Sequence, residues 1–345
     1  MEKSRLFIFG PVLEFSAFLR FNIFINRLKD VEDVLVTAIV IDSAIDIIED
    51  ADDIITISTE YLKKTNSNYP NNLEILGDRN NSDFFKKALD FINKNYDVKS
   101  SNILFWHPLN VKDKDGNIRY TSLMDTTGLS EDKSPIGSAY DRDYFFIKNW
   151  LSKGNTLKPK KENFDTIKDL YGHLFNDRTF IIITRNFKNK QPNTNTHIMI
   201  PNLENIIRSL TKEGIKIINI GFPPSNFDIK ENYVEISDDF TQGDLMSLFY
   251  LSQGCILSGA NGGYCPHAAT NVDIFNIKEE FRGNYFVSGR SKNKTIKTYD
   301  LQNEVKNNDI KIVVEEIKKH RKISKLLFAK PKKIIFLDKN DKISK

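Results

Sequence analysis

Three short stretches of this 345-residue sequence carry residue types that can do chemistry. Glu14 follows a Gly-Pro break after an apolar run, where its carboxylate can act as a general base toward a substrate hydroxyl. Arg185 follows the apolar run Phe180–Ile183, and its planar guanidinium can bind a diphosphate through paired hydrogen bonds. The third stretch, Gly254–Asn271, contains a glycine-rich turn that lets the backbone approach a phosphate.

The glycine-rich turn follows a predicted strand and leads into a predicted helix start, so free backbone N–H groups can point at an anion. The turn matches neither the dinucleotide fingerprint GxGxxG nor a Walker A loop. Its candidate residues are Ser258, Gly259, Ala260, Asn261, Gly262 and Gly263. Two further positions join this set. Asn186 stands beside Arg185, and Gly221 ends another predicted strand, where it can contact the base or ribose of a nucleotide together with Phe222.

Each of these positions also has a purely structural interpretation. A glutamate near the first turn of a helix is stabilised by the helix dipole. An arginine at a strand end can extend its charged group into water. A glycine-rich turn between a strand and a helix is common in α/β proteins. The sequence leaves both interpretations open at each position.

Signals for a metal site are weak. Cys255, Cys265 and His267 do not have the spacing of a zinc site. Asp141–Asp143 has the form of a DxD motif, which holds Mn²⁺ or Mg²⁺ with a sugar nucleotide, but it lies in a charged stretch and not after a buried strand. A GxSxG nucleophile elbow is also absent from the sequence. We therefore expect no bound metal and no other cofactor.

The elements that must position these residues alternate along the chain as short apolar runs and helix-length amphipathic stretches. This alternation is typical of parallel sheets with helices on both faces. Ligands of such sheets bind at the carboxyl ends of the strands, which is where Glu14, Arg185 and the glycine-rich turn are placed. Strands are predicted at 5–9, 34–41, 54–57, 103–106, 179–184, 215–220, 234–236, 255–257, 275–277 and 333–337, and helices at 14–29, 82–95, 202–213, 244–252 and 303–321.

The pattern of elements predicts two α/β domains with different roles. The first covers about residues 1–155 and the second about 156–320, followed by a basic tail at 321–345. Residues 107–162 are polar and show little periodicity, which predicts a long insertion loop and a linker.

Composition limits the classes of function. The chain has 50 Lys and Arg against 46 Asp and Glu, so its net charge of +4 argues against a strongly basic nucleic-acid binder. No apolar run has the length of a membrane span or the form of a signal peptide, which predicts a cytoplasmic protein. Residues 312–345 contain eleven Lys and Arg and four Asp and Glu, interleaved with Leu326, Leu327 and Phe328. This stretch is either a contact for anionic lipid at the inner face of the membrane or for a phosphate-bearing acceptor, or a solvated tail.

The second half of the chain resembles a known fold family. The runs TFIIITRN, IKIINIGF, QGDLMSLFYLSQ and CILSGANGG are similar to the nucleotide-binding domain of GT-B glycosyltransferases, above all those of bacterial surface-polysaccharide gene clusters. The resemblance covers about residues 178–275. It implies two Rossmann-like domains that face each other across a cleft, the first for the acceptor and the second for a nucleotide-sugar donor.

The resemblance also implies roles for particular residues. In related GT-B enzymes a strand-end arginine contacts the donor diphosphate and a later turn of small residues lies against the donor; matched by position, these are Arg185 and Ser258–Gly263. GT-B enzymes typically need no bound metal. Glu14 is the candidate base if the reaction inverts the sugar's configuration, and it orients the acceptor if the reaction retains it.

The function implied is transfer of a sugar from a nucleotide-sugar donor to a cell-surface glycan or a lipid-linked glycan, such as a capsule precursor. Three alternatives remain at this point. The chain can be a sugar-nucleotide epimerase or hydrolase on the same fold, a non-catalytic nucleotide-sugar-binding protein, or a nucleic-acid binder that acts through its basic tail.

Overall fold

The chain folds into two compact α/β units, one formed by residues 1–146 with 330–345 and the other by residues 147–329. Each unit is built on one six-stranded sheet whose strands all run parallel. This computed structural model describes residues 3–10, 21–22, 25–26, 28–30, 32–65, 83–105, 121–122, 156–184, 203–221, 227–238, 240–257, 272–276, 296–298, 307–322 and 325–338.

The sheet of the first unit has the strand order β12-β3-β2-β1-β4-β5. Its central strands are continuous apolar runs because a parallel sheet is covered on both faces and hides both sides of each strand. The strands are β1 (Ser4–Phe9), β2 (Val34–Ile41), β3 (Asp53–Ile57), β4 (Ile103–Phe105), β5 (Thr121–Ser122) and β12 (Lys333–Phe336).

Helices cover this sheet through apolar residues at helical spacing. Among the described positions between 21 and 30, which are helical, Phe21, Ile25 and Leu28 are buried. Helix α1 spans Thr59–Thr65, and helix α2 spans Asp83–Asn95 with Ala88 and Ile92 in the core. Short 3-10 turns follow β2 (Asp42–Ile47) and precede β4 (Ser100–Asn102).

The sheet of the second unit has the order β11-β10-β9-β6-β7-β8. The chain moves outward from β6 to β8, returns to the other side of β6 and then continues to β11, which is the doubly wound order of Rossmann-like folds. The strands are β6 (Thr179–Thr184), β7 (Lys216–Gly221), β8 (Tyr233–Ile236), β9 (Gly254–Leu257), β10 (Ile274–Asn276) and β11 (Ile296–Thr298).

Alternate residues of β6 face the two opposite cores of the second unit, as the period of a strand requires. Phe180 and Ile182 pack with helices α4 (Leu203–Lys212) and α6 (Asn307–Lys319). Ile181 packs on the other side with helices α3 (Lys161–Tyr171) and α5 (Gln242–Leu251). The apolar run of β6 is therefore uninterrupted because both of its sides are buried.

The ends of two helices in this unit are fixed by local chemistry. The backbone after α4 turns at Gly214, whose φ of 72° is a left-handed conformation that glycine adopts without strain. Helix α5 begins with a capping box, in which the Thr241 hydroxyl accepts from the Asp244 N–H at 3.2 Å and the Asp244 carboxylate accepts from the Thr241 N–H at 2.9 Å.

The structure confirms the predicted α/β class and corrects the predicted tail. The described residues of the predicted tail at 321–345 do not form a separate tail, because the chain stays in the second unit to Ala329 and then adds β12 to the first sheet beside β3. The pairing runs from Lys333 opposite Asp53 to Phe336 opposite Thr56. The short run Lys333–Phe336 contains no signal that predicts its pairing with β3, because β3 is far away in the sequence. The boundary between the units also lies at residue 146 and not at 155.

Lys332 holds this returning strand to the first unit, and we predict that Lys332→Met lowers the free energy of unfolding by about 2 kcal/mol. Its ammonium donates hydrogen bonds to the backbone carbonyls of Glu49 and Ala51, and burial lowers the pKa of Lys332 below its usual range. Methionine keeps the apolar stem but leaves both carbonyls without this donor. Urea unfolding measures the change, and Lys330→Met is the matched control because Lys330 is exposed. Equal stability of the two variants contradicts the anchoring role.

Candidate functional site

The second sheet has its topological switch point between β6 and β9, where the chain reverses its direction across the sheet. The register places Ile182 opposite Ile256 of β9, and Thr184 opposite Gly221 of β7. The carboxyl ends of these neighbouring strands therefore lie side by side. In open α/β sheets, ligands bind in the crevice outside the strand ends at such a point.

The predicted phosphate-binding residues follow the two strands of this switch point. Arg185 and Asn186 come directly after Thr184, the last residue of β6. The turn Ser258–Gly263 comes directly after Leu257, the last residue of β9. These residues lie outside the described part of the chain; the structure shows that β6 and β9, the strands they follow in the sequence, are neighbours.

Gly221 is the predicted site residue that the structure does describe. It is the last residue of β7 and the Cα partner of Thr184. The carboxyl edge of the central strands thus has Gly221 of β7 on one side of β6 and Leu257, the last residue of β9, on the other. Phe222, the proposed partner of Gly221, lies outside the described residues.

Close packing fixes the strand that leads into the glycine-rich turn. A Cβ on Gly254 would lie 3.0 Å from the carbonyl oxygen of Asp273 and 3.4 Å from the Phe180 ring. Glycine therefore allows β9 to lie against β6 and the start of β10. The glycine at this position has a packing role, in contrast to the predicted role of the glycines in the turn.

A series of hydrogen bonds between polar side chains near the same edge was not predicted from the sequence. Asn219 is fully buried in β7 and donates to the Tyr233 hydroxyl at 2.9 Å, and that hydroxyl donates to the Glu235 carboxylate at 3.2 Å. These contacts tie β7 to the edge strand β8, two residues before the last residue of β7. The signal was a single asparagine inside an apolar strand, since a buried polar side chain needs a partner.

The segment after β8 is fixed from the opposite face of the sheet. The Tyr171 hydroxyl donates to the Asp238 carboxylate, and the Tyr171 ring packs edge-on against Phe240 at 5.5 Å. This hydrogen bond, together with burial and the charges of Asp238 and Asp244, raises the pKa of Tyr171 to about 12. The phenol stays protonated at neutral pH and works as a fixed donor.

The first unit has its own switch point between β1 and β4. Phe9, the last residue of β1, lies opposite Ile39 of β2 and Phe105 of β4. The Gly10 N–H continues the ladder by donating to the Ile39 carbonyl at 2.9 Å. Glu14, the predicted base, lies outside the described residues, four positions after Gly10 in the segment that leaves this switch point.

Gly10 is required by close contact, and we predict that Gly10→Ala destabilises the protein by about 1–3 kcal/mol. A Cβ there would lie 2.7 Å from Val40 Cγ1 and 3.0 Å from Phe21 Cε1, both in the core. Urea unfolding tests this against Gly172→Ala, where the nearest atom is Lys168 Cγ at an ordinary 3.5 Å. If Gly10→Ala lowered the free energy of unfolding no more than Gly172→Ala does, the core around Gly10 would be able to rearrange without cost, which contradicts the prediction.

Carboxylates and hydroxyls also meet at the carboxyl edge of the first sheet. The Thr59 hydroxyl donates to Asp42, which follows β2. The Ser58 N–H donates to Asp338 at 3.1 Å, and the Ser58 hydroxyl donates to the same carboxylate. These pairs join the ends of β2, β3 and β12. The contact of Asp338 with Ser58 could not be predicted from the sequence, because the two residues are 280 positions apart.

Metal-ligating groups do not cluster in the described part of the chain, where no three His, Cys, Asp or Glu side chains could together hold an ion. Asp141–Asp143, Cys265 and His267 lie outside that part. A buried His320–Asp273 pair, with Nε2 and Oδ2 3.1 Å apart, lies beside the start of β10 and therefore at the opposite end of the strands from the switch point. Among the described helices, none has the length and apolar character needed to cross a membrane.

No protein-family model and no curated protein sequence matches the chain. Solved structures do match it. The glycosyl transferase family 9 protein from Veillonella parvula has a TM-score of 0.56 at 13% identity, over 93% of this chain and 97% of that one. The ADP-heptose lps heptosyltransferase II of E. coli has a TM-score of 0.51 at 10% identity, over 91% and 99%. These similarities span both units and confirm the expected GT-B-like fold.

Proposed function

We propose that this protein is a glycosyltransferase that moves a sugar from a nucleotide-sugar donor to a cell-surface glycan or a lipid-linked glycan. The observation that carries the proposal is the strand order of the second sheet. In that order β6, which Arg185 follows in the sequence, and β9, which Ser258–Gly263 follows, are neighbours at a switch point. The shared fold with two glycosyltransferases supports this class of reaction.

In this proposal the second unit binds the donor. Sugar transfer leaves a nucleoside diphosphate, whose negative charge grows as the bond to the sugar breaks. Arg185 neutralises this charge, and backbone N–H groups of Gly259–Gly263 hold the phosphate oxygens in place. Donors that are already oriented stabilise developing charge best, because they need no rearrangement during the reaction. Asn186 and Gly221 complete this set, with Gly221 and Phe222 beside the base or ribose.

The acceptor side belongs to the first unit, with Glu14 after β1. In an inverting reaction the Glu14 carboxylate takes the proton of the acceptor hydroxyl as that oxygen attacks the sugar. In a retaining reaction Glu14 orients the acceptor. The matched E. coli enzyme is named for ADP-heptose, so a nucleoside diphosphate sugar is the donor class that we propose here. We propose a metal-independent reaction in the cytoplasm.

Product analysis tests this proposal against its rivals. Purified protein is incubated with a panel of nucleotide sugars, first alone and then with a glycolipid extract as acceptor, and the products are identified by mass spectrometry. A transferase releases nucleoside diphosphate and extends the acceptor only in the second incubation. An isomerised sugar nucleotide with donor alone identifies an epimerase, and complete hydrolysis with donor alone identifies a hydrolase. Binding without any product indicates a non-catalytic protein.

A further inference from the structure

We propose that the Glu235 carboxylate binds the ribose hydroxyls of the nucleotide donor and so determines the preference for ribonucleotides. Glu235 belongs to a group of three hydrogen-bonded side chains, Asn219, Tyr233 and Glu235, which is called the polar cluster below. All three residues belong to the second unit. The inference rests on the proposed function, because it adds a ribose contact to the donor site of that unit.

The polar cluster lies close to the carboxyl edge of the second sheet. Asn219 is the partner of Ile182 in β6 and of Glu235 in β8, so these three residues form one row across neighbouring strands. Thr184 and Gly221 are partners at the ends of β6 and β7, two positions further along the chain. Glu235 is the second-last residue of β8. The row that contains Glu235 is therefore near the edge to which the donor is assigned.

The side chains of the polar cluster lie on one face of the sheet. Ile217 belongs to the core formed with helices α4 and α6, and Tyr233 packs against that core. Asn219 and Glu235 each lie two positions further along the same strands, so their side chains are on the same face. Gly221 is the next residue of this series in β7. Because it has no side chain, β7 places no side chain between the polar cluster and the carboxyl edge.

The buried amide of Asn219 holds the Glu235 carboxylate in position. Asn219 is fully buried in a row whose other central members, Ile182 and Ile256, are apolar. Burial of an amide is unfavourable unless the amide forms hydrogen bonds. Asn219 donates to the Tyr233 hydroxyl at 2.9 Å and to the Glu235 carboxylate at 3.5 Å, and the Tyr233 hydroxyl donates to the same carboxylate at 3.2 Å. Two donors thus fix the orientation of a half-buried carboxylate.

A fixed carboxylate at this position matches the ribose of a nucleotide. An ionised carboxylate only accepts hydrogen bonds and repels phosphate, so its partner in a nucleotide is a donor group. The 2′ and 3′ hydroxyls are donors that every ribonucleotide carries. Strand spacing places β8 about 10 Å from β6, whose end is the proposed place of the diphosphate. This separation is comparable to the reach from a diphosphate to the hydroxyls of its own ribose.

Two nucleotides that differ only in the ribose test the inference. UDP, ADP, GDP and CDP are titrated into the wild-type protein by isothermal titration calorimetry, and the one that binds is compared with its 2′,3′-dideoxy form. We expect the dideoxy form to bind about a hundredfold more weakly, because hydrogen bonds to a charged acceptor are strong. Glu235→Gln should reduce this ratio to about tenfold, because a neutral amide is a weaker acceptor. The Kd of the dideoxy form should stay within about twofold.

Glu231→Gln is the matched control, because Glu231 is exposed and lies just before the same strand. It should leave the Kd of both nucleotide forms within about twofold. Tyr233→Phe removes the hydroxyl that donates to Glu235 and should reduce the ratio severalfold. It is the second test of the ribose contact, and circular dichroism verifies that each variant is folded.

The outcomes separate the ribose contact from the donor site itself. An unchanged ratio in Glu235→Gln, or an equal loss of affinity for both nucleotide forms, would overturn the ribose contact while the donor site stands. A reduced ratio in Glu231→Gln as large as that in Glu235→Gln would also overturn it. If the wild type binds none of the four nucleotides, the donor site and the ribose contact are both overturned.

Discussion

Arg185→Ala is expected to weaken the binding of the donor's nucleoside diphosphate about a hundredfold. A hydrogen bond to a charged group contributes about 1.5–3 kcal/mol, and a guanidinium that grips the diphosphate makes two of them. A loss near 3 kcal/mol corresponds to this factor in Kd. Isothermal titration calorimetry with the nucleotide that binds the wild type measures it. Arg185→Lys should bind the nucleotide more tightly than Arg185→Ala but more weakly than the wild type, because an ammonium keeps the positive charge but lacks the paired N–H donors of a guanidinium.

Arg178→Ala is the matched control for this experiment. Arg178 directly precedes β6 while Arg185 directly follows it, so the two arginines flank opposite ends of the same strand. The Arg178 guanidinium donates to the Glu213 carbonyl at 2.9 Å, which is a structural contact. Removal of Arg178 should leave the nucleotide Kd within about twofold. Equal affinity losses in the two variants would assign the effect to the stability of β6 and reject a phosphate contact at Arg185.

Glu14→Gln should lower kcat by a factor between about 10² and 10⁴ if the reaction inverts. The amide keeps the shape of the side chain but cannot take a proton from the acceptor hydroxyl. The Kd of the nucleotide should stay unchanged, because we propose that the donor binds to the other unit. Steady-state transfer assays and calorimetry on the same preparation separate the two effects.

Glu60→Gln is the control for the catalytic experiment. Glu60 lies in helix α1 of the same unit and pairs with Lys64 at 2.6 Å on the surface. Its replacement should leave kcat unchanged. A drop of less than tenfold in the Glu14 variant would assign Glu14 the orienting role expected in a retaining reaction. A change in nucleotide Kd alone would remove Glu14 from the acceptor side altogether.

The strands that carry the candidate site were predictable from the sequence because burial on both faces makes them continuous apolar runs. Val34–Ile41 and Thr179–Thr184 are observed with their predicted bounds. The predicted helix at 82–95 is observed at Asp83–Asn95. The strand ends at Phe9, Thr184 and Leu257 follow from these runs.

Short or mixed elements were not predictable. Helix α3 spans Lys161–Tyr171 but buries only Phe164 and Ile167, so its charged sequence resembles the linker that precedes it. Strands β5 and β11 have only two and three residues. They are strands because they pair with β4 and β10, and their own residue patterns are too short to predict a strand. The place of β12 in the first sheet depends on β3, which is distant in sequence.

The sequence was sufficient to predict which strand ends carry the candidate site, but not which of those strands are neighbours in the sheet. Residue types placed an arginine after β6 and small residues after β9. Only the strand order shows that these two strands are neighbours. The hydrogen bonds from Asn219 to Tyr233 and from Tyr171 to Asp238 depend on tertiary contacts, for which a single sequence offers no periodic signal.

The most direct test of the central claim is a thermal-shift screen of the wild-type protein against UDP, GDP, CDP, CMP and ADP, with and without EDTA. A ligand that binds only the folded state stabilises it by about 2.7 kcal/mol at a hundred times its Kd, which raises the melting temperature by a few degrees. We predict that one nucleoside diphosphate gives this shift and that EDTA does not change it. No shift with any nucleotide would contradict a donor site at the switch point of the second sheet.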